Sequence, residues 1–128
     1  MPWKGDIRYM SPEKAKVFVT EDDERFQKII KRYLEEAGHS VIATATNLDQ
    51  ALAMVDQLEQ LGVDVAVLDG NLDKDDVSGY DGRTVLEAIR EKTPRVKTIG
   101  MSGNSVKGTD VDLGKLNAHD LGKVIKDL

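Results

Sequence analysis

The chain has 128 residues, enough for one domain with its own hydrophobic core. Hydrophobic residues make up 40% and charged residues 32%, which is typical of a soluble globular protein, and the net charge of −5 argues against a sequence-independent nucleic-acid binder. The absence of cysteine excludes disulfides, thiol catalysis and cysteine-ligated metals; no membrane span or signal peptide is recognisable, so a cytoplasmic protein is expected.

Strand-like and helix-like patterns alternate along the chain after an irregular N-terminal extension over 1–15. Short apolar runs predict strands covered on both faces, and apolar residues at helical spacing predict amphipathic helices. The predicted elements, in chain order, are a strand at 16–20, a helix at 23–37, a strand at 39–46, a helix at 48–61, strands at 63–68 and 96–101 with a helix at 84–92 between them, a short strand at 111–113 and a helix at 118–128. Residues 16–128 are therefore predicted to form one α/β domain, a doubly wound five-stranded parallel sheet with helices on both faces.

Several side chains also receive a predicted environment. Leu61 is expected on the inward face of its helix, and Asp23 is expected to be an acidic residue at a helix start. His39 and His119 are expected to face solvent, because one follows a helix-ending glycine and the other begins the last helix. The aspartates that follow the third strand are expected to lie in a solvated loop. They are Asp73, Asp75, Asp76 and Asp81.

Polar side chains stand where the predicted strands end. In a parallel doubly wound sheet the carboxyl ends of the strands surround one crevice, so residues following different strands meet there. The residues concerned are Glu21 and Asp22 after the first strand, Asp69 after the third, Ser102 after the fourth and Lys115 after the fifth.

This set of residues favours phosphoryl chemistry. Carboxylates gathered beside apolar strands repel one another, and oxygen ligands without histidine or cysteine favour a hard divalent cation such as Mg²⁺. Lys115 supplies a second positive charge for a transferred phosphoryl group, and Ser102 supplies a hydroxyl donor. Asp69 is then placed to be the nucleophile of an aspartyl-phosphate intermediate.

The ordered motifs resemble the receiver domain of a two-component response regulator, a flavodoxin-like fold. The stretches concerned are "VFVTEDDE", "VAVLDGN", "IGMSG" and "GTDVDLGKL". The resemblance implies that Asp69 is the phosphoacceptor, with Ser102 as the switch hydroxyl and Lys115 as the phosphate-binding lysine. It further implies that Mg²⁺ is held by Glu21, Asp22, Asp69 and the backbone carbonyl of Asn71.

The same resemblance implies the partners. A sensor histidine kinase or a histidine phosphotransfer protein would donate the phosphoryl group, and the phosphorylated state would change binding to a downstream protein. A second copy of the chain is a further candidate partner. The sequence ends at Leu128, so a stand-alone receiver is expected, which catalyses only its own Mg²⁺-dependent phosphotransfer and dephosphorylation.

The chain departs from the family pattern in four places. The loop 69–82 is longer than usual, and too few residues lie between Ser102 and Gly108 for a full fourth helix. Asp112 replaces the aromatic switch residue, and Leu116 replaces the proline after the lysine. These departures keep open an alternative function, a phosphorylation-independent pseudo-receiver that acts as a protein-binding module.

Two further interpretations of the acidic loop fit less well. An EF-hand beginning at Asp69 would need glycine where Lys74 stands and glutamate where Tyr80 stands. A small magnesium-dependent phosphohydrolase would need a second aspartate two positions after Asp69, whereas Asp73 is four positions away.

Overall fold

The structure of the chain is a computed structural model, and it describes residues 14–69, 80–101, 108–113 and 115–128, apart from the side chains of Tyr80, Lys115 and Leu116. Strands and helices alternate through most of the described chain. In order, they are β1 (Lys16–Thr20), α1 (Glu24–Glu36), β2 (Ser40–Ala45), α2 (Leu48–Val55), α3 (Leu58–Leu61), β3 (Val65–Leu68), α4 (Tyr80–Lys92), β4 (Lys97–Gly100), β5 (Val111–Asp112), a 3-10 helix (Lys115–Asp120) and α5 (Leu121–Lys126).

The five strands form one parallel sheet in the order β2-β1-β3-β4-β5. The predicted five-stranded parallel sheet is therefore confirmed. Its register is interrupted once, between β1 and the edge strand β2, where Val17 pairs with Val41 but Phe18 pairs with Ala43. Ile42 is the extra residue of this bulge and remains 38% exposed.

Helices cover both faces of the sheet because successive strand residues point to opposite sides. Val17 and Val19 of β1 belong to a core layer that includes residues of α1 and α5, whereas Phe18 lies in a second layer with residues of α2 and α4. β3 is buried over its whole length, as expected for a central strand of a parallel sheet.

Helix α1 begins and ends as its sequence predicts. The side chain of Asp23 accepts hydrogen bonds from the backbone N–H groups of Arg25 and Phe26, so this acid caps the helix. Gly38 follows the helix with a φ of 93°, a conformation that costs glycine little. The apolar face of α1 buries Ile30 and Leu34.

The single helix predicted over 48–61 is wrong, because the structure divides it into α2 and α3. Gln57 lies between them, and its backbone N–H donates to the Met54 carbonyl, a tighter turn than an α-helix makes. In this arrangement Leu58 is fully buried, but Leu61, predicted to face inward, is 38% exposed.

Helix α4 begins at Tyr80, four residues before the predicted start at Thr84. Asp81 is therefore in the first turn of a helix and is buried, so its assignment to a solvated loop is wrong. An acidic side chain at this position is favoured by the helix dipole. The other predicted loop acids, Asp73, Asp75 and Asp76, lie outside the described residues.

His39 is buried, not exposed as predicted. Its Nδ1 accepts a hydrogen bond of 3.0 Å from the Ala15 backbone N–H, and its Nε2 lies 3.4 Å from the Gly122 carbonyl oxygen. An imidazole that accepts a hydrogen bond at Nδ1 and faces a carbonyl oxygen with Nε2 carries its proton on Nε2. The imidazole thus joins the start of β1 to α5, whereas His119 is exposed as predicted.

The end of the domain differs in detail from the prediction. The closing helix predicted over 118–128 is a 3-10 helix followed by α5. Residues 102–107, which are predicted to be too few for the helix that the family usually has between its fourth and fifth strands, lie outside the described residues. Ala15 is already buried, while 1–13 of the predicted N-terminal extension lie outside the description. Within the described ranges, no helix has the length and apolarity that a membrane crossing requires.

Candidate functional site

The candidate site lies at the carboxyl ends of β1 and β3, which are neighbours in the sheet. Glu21 and Asp22 directly follow β1, and Asp69 directly follows β3. The parallel register pairs Thr20 with Leu68, which places both strand ends at the same level. Residues that are far apart in sequence therefore meet at one edge, as the sequence predicts.

The structure brings Glu21, Asp22 and Asp69 together. One carboxylate oxygen from each residue lies within 4.8 Å of the other two. Glu21 is fully buried, Asp69 is 2% exposed and Asp22 is half-buried, so Asp22 stands at the solvent side of the cluster. Asp22 also lines a surface pocket together with Asp23, Glu24 and Arg25.

Burial and neighbouring acids make ionisation of Glu21 unfavourable. Removal from water is the main cause, followed by the hydrogen bond with Asp22 and the charge of Asp69, and together they raise the pKa of Glu21 from 4.5 to about 8. The backbone N–H of Asp23, which donates to Oε2 of Glu21 at 3.1 Å, opposes this shift. This backbone hydrogen bond only partly offsets the effects of burial and of the neighbouring acids on the pKa of Glu21.

The cluster fits a hard divalent cation. In octahedral Mg²⁺ sites the metal–oxygen distance is about 2.0–2.1 Å, so ligands on opposite sides are roughly 4 Å apart. Oxygens within 4.8 Å of one another need only small side-chain rotations to reach such an ion. A cation would also favour the ionised form of Glu21, against the burial and the charge of Asp69 that raise its pKa. The residues present therefore suit Mg²⁺ in both geometry and charge.

Two neighbouring polar residues were not identified from the sequence. The hydroxyl of Thr20 accepts a hydrogen bond from the Asp69 backbone N–H at 3.1 Å, and the Nε2 of Gln27 donates to the carbonyls of Glu21 and Ala45 at 3.4 and 3.3 Å. The signal available for Thr20 was a polar residue ending the apolar run "KVFVT". Gln27 gave no signal, because its partners are backbone atoms that only the fold brings near.

The remaining predicted site residues lie outside the described part of the structure in whole or in part. Asn71 and Ser102 are not among the described residues. Lys115 begins the 3-10 helix that comes two residues after Leu113, but its side chain is not described. The roles of all three residues stay predictions.

Comparison with known proteins agrees with this arrangement. The family model "Response regulator receiver domain" matches residues 17–126, which include the acidic cluster and all five strands except Lys16, the first residue of β1. The chain belongs to this family. As a receiver domain, it is part of the two-component signalling systems in which response regulators act.

The receiver is also similar to individual proteins. It is 32% identical over 102 residues to protein-glutamate methylesterase/protein-glutamine glutaminase 1 of Paramagnetospirillum magneticum, covering 79% of the receiver. A CheY-like receiver domain protein from Methanospirillum hungatei has a TM-score of 0.71 and 23% identity over 88% of this chain and 91% of its own. A structure of the phosphorylated P1 domain of CheA3 in complex with CheY6 from R. sphaeroides gives a TM-score of 0.66 at 19% identity, covering 88% and 93%.

Both of these structures are less than 25% identical to the receiver, so their similarity supports the fold alone. The receiver spans only about a quarter of the length of the methylesterase relative. The activity of that longer protein is therefore not carried over, and the stand-alone arrangement expected from the sequence stays a prediction.

Proposed function

We propose that this receiver accepts a phosphoryl group on Asp69 in a Mg²⁺-dependent reaction and changes its protein contacts in that state. The observation that supports the proposal is the convergence of Glu21, Asp22 and Asp69 within 4.8 Å at the ends of two neighbouring strands. A buried carboxylate in such a cluster has few roles in stability, because repulsion between like charges opposes folding. Phosphoryl transfer gives the cluster a use.

In the proposed reaction an oxygen of Asp69 forms a bond to phosphorus. The bond between phosphorus and the donor breaks, and its electron pair stays on the leaving group. For a phosphohistidine donor the leaving group is the imidazole nitrogen, which then takes a proton from water. Glu21, Asp22, Asp69 and the Asn71 carbonyl would hold Mg²⁺, which when bound would offset the charge of the acids and of the phosphoryl oxygens.

Ser102 and Lys115 are proposed to contact the transferred group. The hydroxyl of Ser102 would donate to one phosphoryl oxygen, and the ammonium of Lys115 would neutralise another. Their support is their sequence position: Ser102 follows Met101, whose backbone N–H bonds to Leu68 beside the site, and Lys115 comes soon after β5.

A histidine kinase or a histidine phosphotransfer protein is the proposed donor. The support is membership of the receiver family together with the likeness to a structure in which CheY6 is bound to a phosphorylated P1 domain of CheA3. We propose no reaction beyond self-phosphorylation from such donors and loss of the phosphoryl group to water.

The proposal is tested by intact-mass analysis after incubation with Mg²⁺ and a small acyl-phosphate donor. Wild type is expected to gain one phosphoryl group, and Asp69→Asn is expected to gain none, because the amide is a poor nucleophile. Asp64→Asn is the matched control. Asp64 lies just before β3, at the amino end of the strand that Asp69 follows, and its carboxylate accepts a hydrogen bond from the Lys16 backbone N–H. This control should be phosphorylated like wild type.

Two results would contradict the proposal. Equal labelling of Asp69→Asn and wild type would place the phosphoryl group on another residue. A folded wild type that binds Mg²⁺ but gains no phosphoryl group would instead favour the phosphorylation-independent binding module. The departure from the family pattern that points to this alternative is Asp112, which is exposed on β5.

A further inference from the structure

Thr20 occupies an unusual place for a polar residue. It is the last residue of β1, it is 1% exposed, and the three residues before it are fully buried and apolar. A buried hydroxyl without partners would be costly, so its hydrogen bonds are informative. Its Oγ1 lies 3.4 Å from the Val67 carbonyl oxygen, to which it donates, and 3.1 Å from the Asp69 nitrogen, from which it accepts.

The hydroxyl therefore connects β1 to the residue that follows β3. The Asp69 N–H also points at the Thr20 carbonyl oxygen, 3.2 Å away, so both oxygens of Thr20 receive the same donor. Because Oγ1 gives its only proton to Val67, its lone pairs are directed at Asp69. The backbone position from which the Asp69 side chain leaves is thus fixed by two contacts to one residue.

The same residue is bonded directly to Glu21. Any shift of Thr20 relative to β3 changes the separation between Glu21 and Asp69, which are two of the three carboxylates in the cluster. The sequence position before an acid pair needs only an apolar residue for burial, since Val17, Phe18 and Val19 fill their sites without a hydroxyl. A hydroxyl at this point serves orientation better than burial.

We propose that Thr20 is a positioning residue for the phosphoacceptor. The inference rests on the proposed role of Asp69 and adds that the Thr20 hydroxyl sets the direction of the attacking carboxylate. Thr20 gives up no proton and contacts no donor: the Asp69 oxygen forms the bond to phosphorus, while the bond from phosphorus to the leaving group breaks. A misdirected nucleophile lowers the rate of that step without weakening donor binding.

The test compares Thr20→Val, which keeps the shape of the side chain but removes the hydroxyl, with Thr20→Ser, which keeps the hydroxyl but removes the methyl group. Phosphorylation is followed with Mg²⁺ over a range of acyl-phosphate concentrations. In Thr20→Val the rate constant at saturating donor is expected to fall on the order of tenfold, with an unchanged half-saturating donor concentration. Thr20→Ser is expected to recover most of the rate. If Thr20→Val does not fold, Thr20→Ser and Thr20→Cys, similar in size but different in hydrogen-bond strength, make the same comparison.

Thr98→Val is the matched control for stability. Thr98 is also a buried strand threonine whose hydroxyl both donates and accepts, at 3.1 Å each, but its partner is Asp110 and not an acid of the cluster. This variant is expected to lose stability while keeping the wild-type rate. The inference is overturned if the rate falls equally in Thr98→Val, if Thr20→Val keeps the wild-type rate, or if Thr20→Ser does not recover it. A wild type that gains no phosphoryl group would overturn the proposed function itself.

Discussion

The carboxyl group of Glu21 is buried beside two other acids, and its ionisation therefore opposes folding. Its folded-state pKa is about 8, compared with 4.5 for an exposed glutamate. The folded protein then holds a proton that the unfolded chain has released throughout that interval, so the stability that this group contributes is fully present below pH 4.5 and is lost as the pH rises toward 8. Each pKa unit corresponds to about 1.4 kcal/mol, which makes the expected loss a few kcal/mol.

The resulting prediction concerns the metal-free protein. Urea unfolding with a chelator present should show wild-type stability falling between pH 4.5 and about 8. Glu21→Gln keeps the shape of the side chain but cannot ionise, so its stability should change less over the same interval. Parallel pH profiles for the two proteins would show that Glu21 is not the group responsible.

At the residue scale, the sequence predicted the acids that meet but not what holds them. Glu21 and Asp69 were predictable because a run of apolar residues ending in an acid marks the carboxyl end of a buried strand. Thr20 and His39 were not, because the partners of each are backbone groups distant in sequence. For His39 its position directly after the helix-ending Gly38 pointed the wrong way.

Helices α1 and α5 approach so closely that one residue type is required between them. A Cβ added at Gly122 of α5 would lie 2.2 Å from the Cβ of Ala37, the residue that ends α1. No pair of carbon atoms tolerates that separation, so the two helices would have to move apart. Glycine is present here for close packing, although it lowers helix propensity.

Gly122→Ala is therefore expected to destabilise the protein by about 1–3 kcal/mol, despite the better helix propensity of alanine. Urea unfolding measures the change. The double variant Ala37→Gly/Gly122→Ala should recover much of the loss, because the nearest remaining neighbours of the new Cβ are the Cα of residue 37 at 3.7 Å and the Tyr33 carbonyl oxygen at 4.0 Å, both ordinary contact distances. A single variant as stable as wild type, or a double variant no better than the single, would contradict this account.

At the element scale, strand positions were easier to predict than helix boundaries. The predicted strands agree with β1 to β4 within two residues at each end. For β1, β3 and β4 the signal was a short, mostly apolar run, since few other structures bury so many consecutive residues. The break between α2 and α3 escaped prediction because Leu58 and Leu61 continue the helical spacing across it. The early start of α4 escaped because Asp81 and Gly82 are typical of turns.

For the molecule as a whole, the acidic cluster should couple metal binding to folding. A cation that binds only the folded state adds to its stability, by about 2.7 kcal/mol at a hundred times its dissociation constant. Mg²⁺ is expected to raise the thermal midpoint of wild type, and a chelator should reverse the change. Asp22→Asn should show a smaller response, because it removes one of the three carboxylates.

Asp49→Asn is the control for this measurement. Asp49 is exposed in the first turn of α2 and lies outside the cluster, so its variant should respond to Mg²⁺ like wild type. An equal response in all three proteins would mean that Mg²⁺ acts elsewhere on the molecule.

The two core layers would be completed at different times on the ribosome. Among the described residues, the buried members of the core layer beneath α2 and α4 lie between positions 18 and 96, whereas the core layer beneath α1 includes Leu121 and Ile125. A growing chain can bury one side of its sheet while Ile30 and Leu34 are not yet covered by α5. Until residues 121–126 have left the exit tunnel, the apolar stripe of α1 is open to chaperones or to other nascent chains.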